Sequence, residues 1–487
     1  MREAYLIIDI GTGNSRVAVV SCDGDILSIA KETTILHTDT RVKGAQYFLP
    51  EEWRRMIFRL AAKAIQSAGP VTITCATASS LRQGIVLIGD DGAPIIGYSN
   101  ADRRGEEFMS DLDWNRIWEL TNLSPSPIFS AVKLLGTARR EPEVLQRTKF
   151  FTSISDWVGY LFTGCGVWER AQAMQSALYD AQEMKWSEEL CQLFKADASK
   201  LPPLAEAGTV LGPVRGEICS ALGMDPKAVF VVGTADTQAA LAGVDAQMGE
   251  TVIVSGTTSP SLKLIPNFVK HPRTWTSPTA TPGQFMMEIN TASSGINLQR
   301  FKDKMYPNVS YDSLNADARQ QGLPETNLPG CFAVFLTGMH IDRDLLTGGF
   351  VMRNPVGVDM RPESMYHAMT LNIGMSITMC LHRMQEYQPL GDYIVGCGGG
   401  FSSPVVGQVV ADLTSTPIYL YEGWRESTVK GCYALCRKAL GLGTQPRVLS
   451  HVIQPKKSEA LEDYFEQWKL CRISFREMPV RFPSDAK

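Results

Sequence analysis

The stretch that decides the fold is Tyr5 to Arg16, which reads YLIIDIGTGNSR. An apolar strand ends in a carboxylate at Asp9, and a turn rich in Gly, Thr, Asn and Ser follows at once. Such a turn exposes backbone N–H groups and small hydroxyls, which the oxygens of a polyphosphate need. The pattern predicts a phosphate-binding turn made of Gly11, Thr12, Gly13, Asn14 and Ser15, with Asp9 able to hold Mg²⁺ directly or through water.

The same stretch also has a simpler interpretation as a β-hairpin. Residues 17–21 continue as a strand, and Asp23-Gly24 is a strong signal for a two-residue turn. A hairpin and a phosphate-binding turn are compatible with each other, so both interpretations stay open at this point.

Two further turns of similar composition occur in the second half of the chain. Ser255-Gly256-Thr257-Thr258-Ser259 follows the strand-like run 250–254, and a glycine run, 396–400, follows the strand-like run 393–395. The glycine run does not have the G-x-G-x-x-G spacing of a first βαβ unit and could be a tight crossover. The chain also lacks the P-loop pattern G-x-x-x-x-G-K-[ST]. The first two turns suggest two halves of a protein around one phosphate chain.

Composition excludes several classes of protein. A net charge of −4 gives no basic excess of the kind that favours nucleic-acid binding. The eleven cysteines contain no Cys-x-x-Cys pair, which favours reduced thiols and a cytoplasmic location. The six histidines show no metal-ligand spacing, and no apolar run approaches the ~18 residues of a membrane span. We therefore expect no nucleic-acid partner and no membrane association.

At 487 residues the chain exceeds what one core usually supports, so two domains are expected. A helix is predicted to begin after Pro50 and to be stopped by Gly69-Pro70, followed by a strand over 71–76, and this alternation indicates an α/β sheet covered on its faces. A long helix is predicted over 362–384 and a final helix after Glu426. We predict an N-terminal domain over 1–244, with a pocket-forming insertion near 100–210, and a C-terminal domain over 245–487.

Asp236 is the most informative carboxylate after Asp9. It follows the apolar strand 228–232 and begins a helix, which places it at the carboxyl edge of a sheet, where ligands bind in open α/β folds. The alternative is a helix N-cap, a position that Asp also favours.

The order of these segments resembles the FGGY family of carbohydrate kinases over nearly the whole chain. Its D-x-G-T-x-S-x-[KR] pattern is similar to Asp9, Gly11, Thr12, Ser15 and Arg16. Its later patterns are similar to Gly233, Asp236, Gln238 and Ala239, to SGTTS at 255–259, to Gly398, Gly399, Gly400 and Ser403, and to the following Gln408, Ala411, Asp412 and Pro417. Five motifs in the family's order make a chance match very improbable.

The resemblance implies an α/β fold of two ribonuclease-H-like domains, of the actin, hexokinase and Hsp70 type, with the active site in the cleft between them. It implies ATP and Mg²⁺ as cofactors, Asp236 as general base on a substrate hydroxyl, and Asp9 and Asp236 as metal ligands. Phosphoryl transfer suits such a division of labour, because positioning and charge neutralisation carry most of the catalysis. The implied ATP and phosphate contacts are Gly11, Thr12, Gly13, Asn14, Ser15, Arg16, Gly256, Thr257, Thr258, Gly399, Gly400 and Ser403.

The resemblance also implies a pocket for a small open-chain sugar or polyol, such as a pentulose. Its residues here are Arg82, Gln83, Asn100, Asp102, Asp156 and Gln238. Each of them taken singly could instead form an ordinary surface ion pair or turn. The form of residues 80–84 is closer to autoinducer-2 kinases than to xylulokinases, while 168–178 departs from the family pattern, so the sugar is left open.

Two other functions remain possible from the sequence. One is a sugar- or nucleotide-responsive regulatory protein derived from a kinase, and the other is an actin-like or chaperone ATPase that hydrolyses ATP without an acceptor. Retention of both Asp9 and Asp236 favours the kinase. Homodimers are common in the family, although no segment of this chain establishes an interface.

Overall fold

The computed structural model describes residues 2–322, 328–335, 345, 347–357 and 360–478. In chain order its strands are β1 Arg2–Ile10, β2 Asn14–Ser21, β3 Ile26–Thr33, β4 His37–Thr38, β5 Gln46–Phe48, β6 Val71–Ser80, β7 Ile85–Gly89, β8 Pro94–Tyr98, β9 Thr148–Thr152, β10 Trp168–Glu169, β11 Tyr179–Asp180, β12 Lys185–Trp186, β13 Leu204–Ala205, β14 Val210–Pro213, β15 Val229–Ala235, β16 Thr251–Val254, β17 Thr258–Ile265, β18 Trp275–Pro278, β19 Phe285–Ser293, β20 Cys331–Val334, β21 Gly349–Met352, β22 Ile394–Cys397, β23 Ile418–Tyr421 and β24 Leu449–Ile453.

The α-helices are α1 Pro50–Ala68, α2 Trp114–Thr121, α3 Ser130–Arg140, α4 Pro142–Gln146, α5 Ile154–Thr163, α6 Arg170–Met174, α7 Glu188–Leu193, α8 Gly216–Leu222, α9 Asp236–Gly243, α10 Gly295–Met305, α11 Tyr311–Gln320, α12 Pro362–Gln385, α13 Pro404–Thr414, α14 Ser427–Ala439 and α15 Glu459–Glu477. Short 3₁₀ turns lie at Glu106–Asp111, Ala198–Lys200, Gly399–Ser402 and Trp424–Glu426. Within the described part of the chain, no helix is long and apolar enough to cross a membrane.

Two large sheets form the framework, and their central strands follow the same order. The first sheet runs β3-β2-β1-β6-β15-β14, and the second contains the run β19-β17-β16-β22-β23-β24, with β18 added beyond β19. In both, the first three strands are antiparallel, the next two join in parallel, and the last is antiparallel. The two halves therefore share one topology although their sequences show no clear repeat.

The apolar run in β1 is continuous because helices cover both faces of the first sheet. Leu6 and Ile8 belong to the core that also contains residues of α1. Tyr5 and Ile7 belong to a second core that contains Val429 of α14. Strand β1 thus lies buried with Asp9 near its carboxyl end, at the edge where the first turn begins.

Several predicted elements are confirmed and one detail is corrected. Helix α1 ends at Ala68, directly before Gly69 as predicted, and the first hairpin is formed by β2 and β3 with Gly24 at φ 100°. The helix predicted after Glu426 is present as α14, but the prediction that it is the final helix is wrong, because α14 is followed by β24 and by the 19-residue helix α15. The division near residue 245 stays a prediction, although the first sheet takes its strands from residues before it and the second from residues after it.

Helices α9 and α14 join the two halves at close range. A Cβ atom at Gly243 would lie 1.9 Å from the Ser427 carbonyl oxygen, and one at Gly431 would lie 1.7 Å from the Ala239 carbonyl oxygen. Only glycine permits this backbone approach. Since α9 begins at Asp236 and α14 at Ser427, the helix contact brings both N-terminal ends to the same cleft.

The segment near 100–210 adds one strand, β9, to a smaller sheet of order β4-β5-β8-β7-β9 whose other four strands lie before residue 100. Its core is separate and contains Phe129 and Trp168 together with Trp275 of the second half. Lys430 of α14 has a structural role, because its ammonium group donates to the Gly24 carbonyl oxygen at 2.7 Å. This contact ties α14 to the first hairpin.

Candidate active site

The two sheets enclose a cleft of about 390 Å³ whose lining comes from both halves. Its floor and walls include backbone from all three Gly-rich turns and several charged side chains. The lining residues are Asp9, Gly11, Gly13, Asn14, Arg16, Lys31, Asp236, Thr237, Val254, Gly256, Thr257, Thr258, Pro260, Gly398, Gly399, Arg425, Glu426, Ser427 and Thr428. The turns that lie about half a chain apart in the sequence therefore converge on one cavity.

The first turn closes tightly between β1 and β2. The Gly11 N–H donates to the Asn14 carbonyl oxygen at 3.1 Å, and a Cβ atom at Gly11 would lie 2.7 Å from that same oxygen. A side chain at this position would force the turn open. Gly13 and Asn14 then line the cleft with little bulk above them.

The second and third turns are bonded to each other. The Ser255 N–H donates to the Cys397 carbonyl oxygen and the Gly400 N–H donates to the Ser255 carbonyl oxygen, both at 2.8 Å. Gly398 has φ 93°, and a Cβ atom there would lie 2.4 Å from the Ser255 carbonyl oxygen. The glycine run is therefore required for close backbone contact, and it holds the SGTTS turn against the end of β22.

Asp9 is held by a charged partner from the neighbouring strand. The Arg16 Nε donates to the Asp9 Oδ2 at 2.7 Å, and the Arg16 Nη1 donates to the Glu426 Oε2 in the second half. The two carboxylates raise the pKa of Arg16 against the opposing effect of its burial. Arg16 thus links the first turn to the start of α14.

Asp236 is the first residue of α9, and Ala235 occupies the N-cap position, so the N-cap interpretation of Asp236 is wrong. Its Oδ1 accepts hydrogen bonds from the Thr237 N–H at 2.7 Å and the Thr237 hydroxyl at 3.3 Å. Burial raises the pKa of Asp236 above its ordinary value, Asp9 raises it further, and Arg82 opposes both. A carboxylate with a raised pKa at the end of a cleft is suited to accept a proton.

Arg82 forms a buried ion pair that crosses from one half to the other. Its Nη1 donates to the Glu288 Oε2 at 2.5 Å and its Nη2 donates to the Glu288 Oε1 at 2.9 Å. Arg82 follows β6 of the first sheet, whereas Glu288 lies on β19 of the second. The pair lies close enough to Asp236 for the Arg82 charge to act on its pKa.

Comparison with known proteins relates this sequence to carbohydrate kinases. Residues 4–243 match the N-terminal domain of the FGGY family of carbohydrate kinases. The chain is also 34% identical to the Bacillus subtilis (strain 168) protein named "Putative sugar kinase YoaC", over 97% of this chain and 98% of that protein.

The chain belongs to the FGGY family of carbohydrate kinases. It is 23% identical to the autoinducer-2 kinase of Escherichia coli (strain K12), over 96% of this chain and 93% of the relative. Its fold is similar to that of a ligand-bound xylulose kinase from Lactobacillus acidophilus, with a TM-score of 0.83 and 17% identity over 98% of this chain and 99% of the other. The predicted family and the predicted α/β fold with two actin- and hexokinase-like domains are confirmed.

The kinase positions Gln83 through an unusual backbone conformation. Gln83 has φ 62°, and its carbonyl oxygen accepts hydrogen bonds from the Ser130 hydroxyl at 3.1 Å and the Lys133 ammonium at 3.2 Å. Its side-chain Nε2 donates to the Gln175 Oε1 at 2.9 Å. Lys133 is fully buried, and burial lowers its pKa to about 7. Two residues of α3 therefore fix the loop that carries Arg82 and Gln83.

Asp102 and Asp156 are predicted to contact the acceptor substrate, and both carboxylates are hydrogen-bonded within the protein. Asp102 accepts from the Gln46 N–H and from the Arg104 Nε, each at 2.7 Å. The Oδ2 of Asp156 accepts from the Ser153 hydroxyl at 2.5 Å and from the Glu169 N–H at 2.9 Å. Burial raises the pKa of Asp156 to about 6. These contacts support the loops around the acceptor side, and direct contact with a sugar stays a prediction.

The other predicted positions divide between the cleft and the interior. Ser15 is buried and its hydroxyl pairs with the Thr34 hydroxyl at 2.9 Å, so it lies outside the lining of the cleft. The side chains of Thr12 and Asn100 lie 3.4 Å apart, which connects the first turn to the acceptor side. Gln238 is buried, and its Nε2 donates to the Pro278 carbonyl oxygen at 3.4 Å.

A second cavity of about 540 Å³ continues from the first. The two share Asn14, Lys31, Gly256, Thr257 and Gly399. Gly400 and Ser403 line this second cavity, and its far side includes Tyr311 and Asn315 of α11. The Ser403 hydroxyl also accepts from the Val405 N–H at 3.3 Å, which caps α13.

Several residues of the site carry no signal in the sequence. Lys31, Arg425 and Glu426 line the cleft from a strand edge and from a 3₁₀ turn. Glu288 and Lys133 act through partners that are 206 and 50 residues away. Glu288 is the one charged residue of β19, and this is the pattern that could have indicated it.

Proposed function

We propose that this kinase transfers the γ-phosphoryl group of ATP to a hydroxyl of a small open-chain sugar or polyol, such as a pentulose. The observation that carries the proposal is the position of Asp236, which begins a helix in a cleft lined by all three Gly-rich turns. Membership of the carbohydrate kinase family supports the same reaction.

The two connected cavities suit an extended nucleotide. We place the phosphates in the smaller cavity, where the backbone of Gly11, Gly13 and Gly256 is accessible and Lys31 adds a positive charge. The adenosine would occupy the larger cavity, beside Gly399, Gly400 and Tyr311. Small residues at these positions let phosphate oxygens approach the backbone closely, although the N–H groups of Gly11, Gly256 and Gly400 are themselves bonded to the carbonyl oxygens of Asn14, Thr258 and Ser255.

The donor set fits Mg²⁺ held together with a nucleotide. Asp9 and Asp236 both line the cleft, and no cluster of three or more His, Cys, Asp or Glu side chains occurs among the residues that the structure describes. Mg²⁺ commonly binds through one or two carboxylates and substrate phosphates, so Asp9 and Asp236 are sufficient ligands. The ion, when bound, neutralises charge on the phosphates.

Asp236 would take the proton of the attacking hydroxyl. Its raised pKa increases its basicity, and the Thr237 N–H keeps one carboxylate oxygen fixed. The hydroxyl oxygen then attacks the γ-phosphorus, the bond to the β-phosphate oxygen breaks, and ADP leaves. Arg82 and Gln83 would position the acceptor beside Asp236.

ADP release measured against a panel of ketoses, polyols and sugar acids tests the proposal. We expect release to depend on at least one acceptor and on Mg²⁺, with little release when the acceptor is omitted. Equal release with and without every acceptor would indicate an ATPase and would contradict the proposal. A mass increase of one phosphate on the acceptor identifies the product directly.

A further inference from the structure

The buried pair of Arg82 and Glu288 determines the charge of the acceptor side. The Arg82 side chain is 8% exposed and the Glu288 side chain is 1% exposed. Two N–H groups of the Arg82 guanidinium donate to the two carboxylate oxygens of Glu288. The Asn290 Nδ2 also donates to the Glu288 Oε1 at 2.8 Å. The single guanidinium of the loop that follows β6 is therefore already neutralised by a carboxylate from the second half.

The surrounding groups are mainly neutral amides. Gln83 and Gln175 are bonded to each other, and the Gln175 Nε2 and the Gln238 Oε1 are buried without a hydrogen-bond partner in the described part of the chain. One of these atoms is a donor and the other an acceptor, and a hydroxyl can pair with either kind. A buried polar atom without a partner is costly, so each is suited to a ligand hydroxyl.

The other buried charged groups near Arg82 disfavour the binding of an anionic acceptor. Asp236 adds a second carboxylate near Arg82, and the ammonium group of Lys133 is directed to the Gln83 and Ile128 carbonyl oxygens. A sugar acid would place a third carboxylate beside Glu288 and Asp236, with one guanidinium to share. Burying that unbalanced charge costs more than the new contact gains.

We propose that Glu288 is the residue that excludes sugar acids and so restricts the acceptor side to uncharged polyhydroxy compounds. This inference rests on the proposed function, because it assigns a substrate class to the same site. A hydroxyl can donate to Glu288 and accept from Arg82 without separating the pair, whereas a carboxylate must compete with Glu288 for Arg82.

Two matched pairs of compounds test the inference: xylitol against xylonate, and ribitol against ribonate. Binding to the full chain in the presence of ADP is measured by titration calorimetry, and ADP release from ATP is measured in parallel. We expect the polyol of at least one pair to bind about tenfold or more tightly than its acid, as an unpaired buried charge demands. Equal or tighter binding of the acids, or no binding of any of the four, would overturn the inference.

Glu288→Gln separates charge from shape, because it keeps the size of the side chain. In this variant we expect the ratio of acid affinity to polyol affinity to rise about tenfold, since Arg82 then lacks a carboxylate partner within the protein. The double variant Arg82→Gln, Glu288→Gln restores the charge balance and provides a folded comparison if the single variant is unstable. Its acid-to-polyol ratio should return to within about threefold of the wild-type ratio, and an unchanged ratio in Glu288→Gln would contradict a role in specificity.

The readouts distinguish this inference from the proposed function. Selective binding of the polyols without any acceptor-dependent ADP release would refute phosphoryl transfer and leave the charge selection intact. Release with the acids that equals release with the polyols would refute the charge selection and leave phosphoryl transfer intact. Glu32→Gln, which alters the exposed pair with Arg59, is the matched control and should change neither ratio.

Discussion

Asp9 and Arg16 lie directly opposite each other on β1 and β2, and the Arg16 Nε donates to the Asp9 Oδ2 at 2.7 Å. The antiparallel register creates this pair, because the turn between the two strands has a fixed length. Arg16 also contacts Glu426 from the second half. The carboxylate at the end of β1 is therefore oriented by its neighbour, and that neighbour is connected to the opposite wall of the cleft.

Arg16→Met should weaken the binding of MgATP. The substitution removes the positive charge that Asp9 and Glu426 share. Two carboxylates are then left without their partner at the place where the phosphates would lie. We expect the KM for MgATP to rise by about tenfold or more, as loss of a charged contact implies. Steady-state kinetics at varied MgATP provide the measurement. Arg59→Met, which removes an exposed pair with Glu32, is the control, and equal KM values for both variants would contradict the role of Arg16.

Gly400→Ala should affect stability, whereas its neighbour Gly399→Ala should not. A Cβ atom at Gly400 would lie 2.0 Å from the Ser255 hydroxyl oxygen, whereas a Cβ atom at Gly399 would have no atom within 4 Å among the described residues other than its neighbours in the chain. We expect Gly400→Ala to lose about 1–3 kcal/mol in the free energy of unfolding through overpacking. Chemical denaturation of both variants, with ATP binding as a second readout, tests this.

Both glycines line the proposed nucleotide cavity. Gly399→Ala should therefore raise the KM for ATP while its free energy of unfolding remains close to that of the wild type. Normal ATP binding by Gly399→Ala would show that the nucleotide does not approach this backbone.

Lys133→Met should weaken the binding of the acceptor substrate and leave the binding of ATP nearly unchanged. The Lys133 ammonium holds the Gln83 carbonyl oxygen, and Gln83 has φ 62° in the loop that carries Arg82. Loss of this contact should raise the KM for the acceptor by about tenfold, because small displacements of positioning groups are costly. The KM for ATP should change less than twofold. Lys149→Met, at an exposed lysine, is the control, and equal effects on both substrates would indicate general damage instead.

Glu169 should make the protein less stable as the pH rises. It caps α6 by accepting from the Ala171 and Gln172 N–H groups at 3.0 Å, and burial, assisted by Asp156, raises its pKa to about 8. A group with a raised pKa in the folded state favours folding at low pH, and this contribution is lost as the pH rises from about 4.5 to about 8. Over that pH range, we expect the free energy of unfolding of the wild type to fall by about 1 kcal/mol or more relative to that of Glu169→Gln.

Chemical denaturation of the wild type and Glu169→Gln across this pH range measures the difference. Glu206→Gln, at a half-exposed carboxylate, is the control and should run parallel to the wild type. A constant difference between the wild type and Glu169→Gln would show that Glu169 does not titrate in the folded state.

The sequence predicts those parts of the fold that depend on local patterns. The strand before Asp9, the hairpin after it and helix α1 follow from apolar periodicity and turn residues, and each is present in the structure. The shared strand order of the two halves could not be predicted from identity, because buried strands need only apolar residues and many sequences satisfy that need.

The candidate site could be predicted only in part, for a physical reason. The glycines of the turns are specified by local backbone geometry, but the partner of a side chain depends on which distant element packs beside it. Arg82 was recognised and Glu288 was not, since 206 residues separate them. Ser15 and Asp102 were assigned to ligands by motif position, yet their polar atoms bond to Thr34, Gln46 and Arg104.

Turnover by Asp236→Asn tests the central claim most directly, because the variant keeps the shape of the side chain and removes the proton acceptor. On an acceptor that the wild type phosphorylates, we expect kcat to fall by about 10²–10⁴-fold while ATP binding, measured by calorimetry, changes little. In the wild type, kcat/KM should fall as acidification protonates Asp236, at a pH above its ordinary value because its pKa is raised. Near-normal kcat in Asp236→Asn would contradict the assignment of Asp236 as the base.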